Sequence, residues 1–250
     1  MIVSTSGEGS AMSAIQMPAP DGPVSAVFET PSGDGPWPGV VVLHDIAGLS
    51  GDIRRKTRLL ADNGYLAVAP DLFSRGKARC VPSVFRDMLS SKDGRATRDI
   101  QAARALLTAD ERCTGKVAIV GFCLGGAFAL LLAPQGFDVA APFYPSGRGN
   151  YEEVLRGACP IVASYGANDP ANRGRGDKLE RVLTEYGIDH DVKTYAGVGH
   201  SFANDLPAQG LLRVAGLGYD EAATSDAWAR IFAFFDTHLS PGFQPGGPNV

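Results

Sequence analysis

The chain has 250 residues, of which 44% are hydrophobic and 20% charged, and its formal net charge is -4. A chain of this length can bury a large core as one α/β domain or two small ones, and the composition is that of an ordinary globular protein. The mild acidity argues against a nucleic-acid partner, because the one short basic cluster, Arg54-Arg55-Lys56, is expected to be the solvated face of a helix.

The N-terminal region predicts no targeting signal. The first basic residue is Arg54, so the basic segment of a secretory signal is lacking, and no apolar run is long enough to span a membrane. We therefore expect a cytoplasmic protein without a membrane partner. The four cysteines show no Cys-x-x-Cys spacing, which predicts free thiols and no metal site.

The predicted elements occupy one domain over residues 12–239, between loose tails at 1–11 and 240–250 that are rich in small, polar, Pro or Gly residues. Short apolar runs predict strands over residues 25–29, 39–43, 65–69, 116–120, 139–143, 161–165 and 191–195. Several of these runs are unbroken, as in Val40-Val41-Val42-Leu43. Such runs are typical of parallel strands that are covered on both faces.

Helical periods lie between these strands. Apolar residues recur at i, i+3, i+4 and i+7 in two sets: Leu179, Val182, Leu183 and Tyr186, and Trp228, Ile231, Phe232 and Phe235. Gly64 and Gly187 stand where a helix C-terminus favours glycine. The alternation predicts an α/β fold, a mostly parallel and doubly wound sheet with helices on both faces and sites at the carboxyl ends of its strands.

One cysteine lies inside a glycine frame at the end of the fourth predicted strand. In Gly121-Phe-Cys-Leu-Gly-Gly126 a β-branched apolar run breaks and then resumes as an alanine-rich helical pattern. The glycines permit a tight strand-to-helix turn, because a β-carbon there would collide with neighbouring backbone. Cys123 would then lie at a helix N-terminus, which favours the thiolate. The pattern predicts a nucleophile elbow, with a buried structural cysteine as the alternative.

A thiol nucleophile needs a base, and the base needs an orienting group. His200 stands in a glycine-rich loop just after the last of these strands, and Asp169 follows the end of the strand over 161–165. Both are expected at the carboxyl edge of the sheet beside Cys123, although an aspartate before proline is also a common turn residue. The order nucleophile, acid, histidine is the order of α/β-hydrolases.

A Gly-x-Cys-x-Gly frame also occurs at the nucleophile of class I glutamine amidotransferases. Those enzymes place a glutamate two residues after the histidine, whereas Phe202 occupies that position here. The sequence therefore disfavours an amidotransferase.

The chain resembles the dienelactone hydrolase family from about residue 13 to residue 238. Five stretches carry the resemblance: Leu43-His44-Asp45-Ile46-Ala47-Gly48, Ala69-Pro70-Asp71-Leu72-Phe73-Ser74-Arg75, Gly121-Phe122-Cys123-Leu124-Gly125-Gly126, Asn168-Asp169 and Gly199-His200-Ser201-Phe202. The combination of the cysteine elbow with the Gly-His-Ser-Phe loop is specific, while each alone is not.

The resemblance implies an α/β-hydrolase fold, a small-molecule ester or lactone substrate, a monomer, and no metal or organic cofactor. It implies that Cys123 is the nucleophile, His200 the general base and Asp169 the group that orients the histidine. The backbone N–H groups of Leu124 and Ile46 would form the oxyanion hole. The implied reaction passes through a thioester acyl-enzyme.

Four further positions are compared with the family pattern. Asp45 stands where the family has a glutamate that modulates the thiol, and it is one methylene shorter. Arg75 matches one of two arginines that bind the substrate carboxylate, but the second falls at Asn204, and an amide cannot replace a bidentate guanidinium. Tyr144, just after a strand, is expected to line the pocket or the core edge. Arg79 or Arg213 would be the candidates to replace the missing arginine, although a surface position is expected for each.

Three functions remain open from the sequence. The first is a cysteine-dependent hydrolase of a small carboxylic ester or lactone. The second is a hydrolase of another acyl substrate, such as a thioester or an activated ester, which Asn204 favours over true dienelactone activity. The third is a ligand-binding relic of the fold without catalysis, against which the complete Cys-Asp-His set argues.

Overall fold

The computed structural model describes residues 13–90, 93–147, 150–205 and 218–240. In these ranges an 8-stranded sheet is built from β1 (Ser13–Met17), β2 (Val24–Glu29), β3 (Trp37–Leu43), β4 (Leu66–Pro70), β5 (Cys113–Phe122), β6 (Val139–Phe143), β7 (Ile161–Gly166) and β8 (His190–Tyr195). The helices of the same ranges are α1 (Gly51–Asp62), α2 (Lys77–Ser90), α3 (Arg95–Thr108), α4 (Leu124–Leu132), α5 (Tyr151–Val154), α6 (Arg175–Glu185) and α7 (Glu221–His238). The two predicted tails lie outside the described residues, apart from Ser240.

The strands follow the order β1-β2-β4-β3-β5-β6-β7-β8 across the sheet. All neighbours from β4 to β8 are parallel, while β1 and β2 run antiparallel at one edge. The prediction of a mostly parallel α/β sheet is confirmed, and the predicted strands correspond to β2–β8. Strand β1 was not predicted, because its five residues, SAIQM, contain no unbroken apolar run; in the structure its first four positions alternate between half-buried and exposed, and Met17 is buried.

Helices cover both faces of the sheet. Val40 and Val42 of β3 point into a core shared with α1 and α7, whereas Val41 points into a second core shared with helices α2 to α6. The predicted apolar faces of α6 and α7 are buried in these cores. Gly64 and Gly187 follow α1 and α6 with φ angles of 87° and 63°, which confirms their predicted capping positions. Within the described ranges, no helix combines the length and apolarity needed to cross a bilayer.

The strand register brings several loops to one edge of the sheet. Leu43 of β3 pairs with Gly121 of β5, and Phe122 of β5 pairs with Phe143 of β6. At the other side of β6, β7 and β8 end together, with Gly166 beside Tyr195. Because these strands are parallel, the loops after β3, β5, β6, β7 and β8 all leave the sheet at its carboxyl edge.

Candidate active site

The turn between β5 and α4 is strained at Cys123, which has φ 54° and ψ -109°. A positive φ is unfavourable for a residue with a side chain and persists only where the surroundings enforce it. The flanking glycines make this close approach possible. A Cβ on Gly121 would lie 2.1 Å from the carbonyl oxygen of Gly125, and a Cβ on Gly125 would lie 2.4 Å from the carbonyl oxygen of Leu43. The chain therefore makes the sharp strand-to-helix turn that the glycine spacing predicts.

The thiol of Cys123 contacts a hydroxyl that the sequence did not single out. Its Sγ lies 2.9 Å from Oγ of Ser146, and the backbone N–H of Ser146 donates to the carbonyl oxygen of Cys123 at 2.9 Å. Ser146 follows β6, whose last residue accepts a hydrogen bond from the backbone N–H of Cys123. Its position three residues after a strand that neighbours the elbow is the sequence signal that could have identified it.

The two backbone N–H groups that the resemblance implies for an oxyanion hole belong to loops at the carboxyl edge of the sheet. Leu124 is the first residue of α4, and the first N–H group of a helix has no acceptor within the helix. Ile46 lies in the loop after β3, the strand that neighbours β5, and its side chain is 52% exposed. Donors at these two positions can stabilise negative charge that develops on a carbonyl oxygen bound at the elbow.

His200 and Asp169 form a close pair on the loops after β8 and β7. Nδ1 of His200 lies 2.6 Å from Oδ2 of Asp169. The aspartate is buried and also accepts hydrogen bonds from Nδ2 of Asn172 at 2.6 Å and from the backbone N–H of Ala171 at 2.9 Å. Burial alone would raise the pKa of Asp169, but the hydrogen bonds from His200 and Asn172 outweigh it, so the pKa is lowered. A charged carboxylate here orients the imidazole.

The other side of His200 faces the thiol. Burial favours the neutral imidazole, but the hydrogen bonds to Asp169 and Cys123 and the negative charge of both groups outweigh it and raise the pKa of His200 to about 9. The ring of Tyr144 packs 5.1 Å from the imidazole ring. The structure thus brings three residues that the sequence singled out to the same edge of the sheet: His200 is hydrogen-bonded to Asp169, and Cys123 is near enough to raise the pKa of His200.

A second buried network lies next to this chain and contains Asp45, Asn204 and Tyr144. Oδ2 of Asp45 accepts from Nδ2 of Asn204 at 2.5 Å, and its Oδ1 accepts from the backbone N–H of Ala47 at 2.7 Å. Oδ1 of Asn204 accepts from the hydroxyl of Tyr144 at 2.7 Å. These side chains come together from three loops, and the Asp45 carboxylate contacts protein groups through Asn204 and Ala47.

Lys56 completes this network, and the prediction that Arg54-Arg55-Lys56 is solvated was wrong for Lys56, although Arg55 is exposed. Lys56 is only 6% exposed, and its Nζ donates to Oδ2 of Asp52 at 2.5 Å and to Oδ1 of Asn204 at 2.8 Å. Nζ also lies 4.0 Å from the ring centre of Phe122. Burial lowers the pKa of Lys56, although Asp52 opposes this. Helix α1 turns Lys56 inward because it lies four positions from Asp52 on the face that contacts the sheet.

Arg75 is engaged by another carboxylate. Its two terminal nitrogens donate to Asp99, with Nη1 2.6 Å from Oδ2 and Nη2 3.0 Å from Oδ1. The hydrogen bond to Asp99 raises the pKa of Arg75. Nη2 also donates to the carbonyl oxygen of Gly22 at 2.5 Å. The side chain of Arg79 and the whole of Arg213 lie outside the described residues.

A cavity of about 250 Å³ adjoins the elbow. Ser146, which contacts the thiol, and Ala127, whose N–H donates to the carbonyl oxygen of Cys123, both line it. The rest of its described wall comes from the segment between β6 and α5, from α2, α4 and α5, and from the start of α6. The described residues contain no cluster of three or more His, Cys, Asp or Glu side chains arranged to hold a metal ion.

The protein has the α/β-hydrolase fold, with a mostly parallel sheet and helices on both faces. The chain order Cys123, Asp169, His200 is the order of nucleophile, acid and histidine in α/β-hydrolases. Within this class, the model of the dienelactone hydrolase family matches residues 24–239. The chain belongs to the dienelactone hydrolase family. The match confirms the resemblance noted from the sequence motifs.

Individual relatives agree with this placement. The chain is 30% identical over 233 residues to the carboxymethylenebutenolidase of Rhodococcus opacus, covering 87% of this chain and 86% of the relative. A dienelactone hydrolase-like promiscuous phosphotriesterase from metagenomic libraries superposes with a TM-score of 0.74 at 25% identity, over 92% of this chain and 99% of that one. The structure named m3DLH shares the fold with a TM-score of 0.78 at 24% identity, over 92% of this chain and 99% of that one.

Proposed function

We propose that the protein is a cysteine-dependent hydrolase that cleaves a small carboxylic ester or lactone through a thioester acyl-enzyme. The observation that carries the proposal is the placement of Cys123 on a strained strand-to-helix turn near His200, whose Nδ1 is held by Asp169 at 2.6 Å. A relative named carboxymethylenebutenolidase supports the choice of substrate class. The proposal includes a cytoplasmic location and, as the family resemblance implies, a monomer without metal or organic cofactor.

The first half of the reaction forms the acyl-enzyme. The thiolate of Cys123 attacks the carbonyl carbon, a C–S bond forms, and the N–H groups of Leu124 and Ile46 donate hydrogen bonds to the resulting oxyanion. When the tetrahedral intermediate collapses, the C–O bond to the alcohol or enol breaks. His200, protonated at Nε2, gives its proton to the departing oxygen. The high pKa of His200, about 9, keeps this proton available at neutral pH.

The second half releases the acid. His200 is now neutral and accepts a proton from a water molecule, which attacks the thioester carbonyl carbon. Collapse of this second intermediate breaks the C–S bond and restores the thiolate facing the imidazolium. Asp169 holds Nδ1 of the imidazole throughout, so that Nε2 points to the reacting atoms.

The surrounding polar residues have supporting roles in this proposal. The contact between Asp45 and Asn204 holds the loop that carries Ile46, and Tyr144 packs against the ring of His200. Because both terminal nitrogens of Arg75 contact Asp99, we assign Arg75 a structural role in place of the substrate-binding role implied by the resemblance. We assign Asn204 a structural role as well, because both its amide oxygen and its amide nitrogen contact protein groups.

The test is hydrolysis of an activated aryl ester and of an enol lactone by the wild type, Cys123→Ala and the control Cys159→Ala. We expect Cys123→Ala to lose at least about a thousandfold in kcat/KM for both substrates, because the sulfur atom that attacks the carbonyl carbon is removed. Cys159→Ala should retain the wild-type rate. In His200→Gln, mass spectrometry should detect acyl groups on the peptide that contains Cys123. Activity that survives in Cys123→Ala, or acylation of another residue, contradicts the mechanism.

A further inference from the structure

Among the described residues, the cavity beside the elbow has a mostly apolar wall and one cationic side chain. Its described lining includes the apolar Leu130, Leu131 and Val154, and also Ser146, Tyr151 and Arg175. Arg175 is the one charged residue in this lining, and no carboxylate of the lining offsets it. A volume of about 250 Å³ lies just below the roughly 300–1,000 Å³ of pockets for drug-sized ligands, so the cavity suits a short chain.

The guanidinium of Arg175 is left without an ionic partner among the described residues. Its Nε is buried and has no hydrogen-bond acceptor in that part of the chain. The guanidinium carbon lies 4.5 Å from the ring centre of Tyr151, whose hydroxyl is paired with that of Tyr165 at 3.1 Å. The cation–π contact with Tyr151 holds the guanidinium in place but satisfies none of its N–H donors. A guanidinium held in this way at a cavity wall can bind the anionic group of a ligand.

The cavity is connected to the reaction centre at its other end. Ser146 contributes to the lining and contacts Sγ of Cys123 at 2.9 Å, and Ala127 is one helical turn beyond Cys123 on α4. The acyl group stays attached to Sγ during the reaction, whereas the alcohol leaves. An apolar cavity that adjoins Sγ is therefore suited to the acyl chain.

We propose that this cavity is the acyl pocket of the enzyme and that Arg175 binds a carboxylate at the far end of the acyl chain. The preferred substrates are then half-esters of short aliphatic dicarboxylic acids. Leu130, Leu131 and Val154 contact the methylene groups. The guanidinium of Arg175 donates two parallel hydrogen bonds to the carboxylate. The proposal rests on the hydrolase function proposed above and names its substrate class.

The experiment compares two aryl esters with the same acyl chain, the nitrophenyl half-ester of adipic acid and the nitrophenyl methyl diester. The wild type should prefer the half-ester by about tenfold or more in kcat/KM, because a hydrogen-bonded charge pair is gained only there. In Arg175→Met this preference should fall by about tenfold to a hundredfold, and in Arg175→Gln similarly. The matched control is Arg181→Met on the exposed side of α6, in which the preference should remain that of the wild type.

Two results would overturn the pocket assignment. One is a wild type that hydrolyses both esters equally or prefers the methyl diester. The other is an unchanged preference in folded Arg175→Met or Arg175→Gln. Calorimetric binding of free adipate adds a readout that needs no catalysis, and its affinity should fall in the Arg175 variants but not in Cys123→Ala. If Cys123→Ala still hydrolyses both esters, the proposed mechanism fails, while the adipate titration continues to test the pocket separately.

Discussion

Nδ2 of Asn204 donates a hydrogen bond to Oδ2 of Asp45 at 2.5 Å, which joins two loops that are 159 positions apart in the sequence. The amide oxygen of Asn204 accepts from Lys56 and Tyr144, so both ends of this amide contact protein groups. The position at which the family resemblance implies a substrate-binding arginine is thus occupied by a buried residue that connects α1, the loop after β3 and the loop after β6.

Replacing Asn204 by leucine should destabilise the protein. The substitution removes partners from Asp45, Lys56 and the hydroxyl of Tyr144, all of which are buried. We expect the free energy of unfolding to fall by about 2–4 kcal/mol, measured by urea denaturation. The control Asn63→Leu removes an exposed hydrogen bond and should cost less than about 1 kcal/mol. Equal losses in the two variants would contradict the network described here.

A methyl group at Gly125 should disrupt the elbow. Its Cβ would lie 2.4 Å from the carbonyl oxygen of Leu43, so α4 or β3 must shift. We expect Gly125→Ala to lower the free energy of unfolding by about 3 kcal/mol and to abolish hydrolysis. Gly51→Ala is the control, because its nearest neighbour would be 3.8 Å away at the end of a flexible arginine, and it should be neutral or slightly stabilising. A stable and active Gly125→Ala protein would show that the elbow tolerates a wider turn.

Cys123 should be the first cysteine to react with iodoacetamide at neutral pH. Burial raises the pKa of Cys159 to about 12 and also raises that of Cys113, so both are thiols at this pH. Cys123 instead faces His200 at a helix N-terminus. Peptide mapping by mass spectrometry at short times measures the order of labelling. His200→Gln should slow the labelling of Cys123 alone, and faster labelling of Cys113 or Cys159 would refute an activated thiol.

The imidazole of His200 should titrate with an apparent pKa of about 9, measured by NMR of histidine labelled with carbon-13. The signal is assigned by its absence in His200→Gln. In Cys123→Ala the pKa should be lower, because the hydrogen bond to Cys123 and its charge both raise it in the wild type. A wild-type value at or below the ordinary histidine value would exclude an ion pair with the thiol.

The same pKa shift predicts how stability depends on pH. The pKa of His200 is raised from 6.5 to about 9 in the folded protein, so its protonation stabilises the fold fully below pH 6.5. This contribution is lost as the pH rises through about 9. The difference in free energy of unfolding between the wild type and His200→Gln should therefore decrease from pH 6.5 to pH 9. A difference that grows over this interval would contradict the assignment.

Much of the fold and part of the candidate site could be predicted from the sequence, because these features depend on local patterns. Unbroken apolar runs identify strands that are covered on both faces, and the recurrence of glycine around Cys123 identifies a turn that no larger residue can make. His200 and Asp169 follow strand ends, so the parallel topology alone brings them to the edge where Cys123 lies. These conclusions need only periodicity, steric exclusion and the common direction of the strands.

Only the tertiary structure decided which partner each charged or polar side chain contacts. Lys56 lies in a basic run for which the sequence predicts a solvated helix face. Packing of α1 against the sheet instead buries it beside Asp52 and Asn204. Arg75 matches a family motif, but its guanidinium donates to Asp99. Arg175 belongs to no motif, and it lines the cavity without an ionic partner among the described residues. A hydrogen bond or ion pair between distant segments depends on distances of a few tenths of an ångström, and only the packed structure sets those distances.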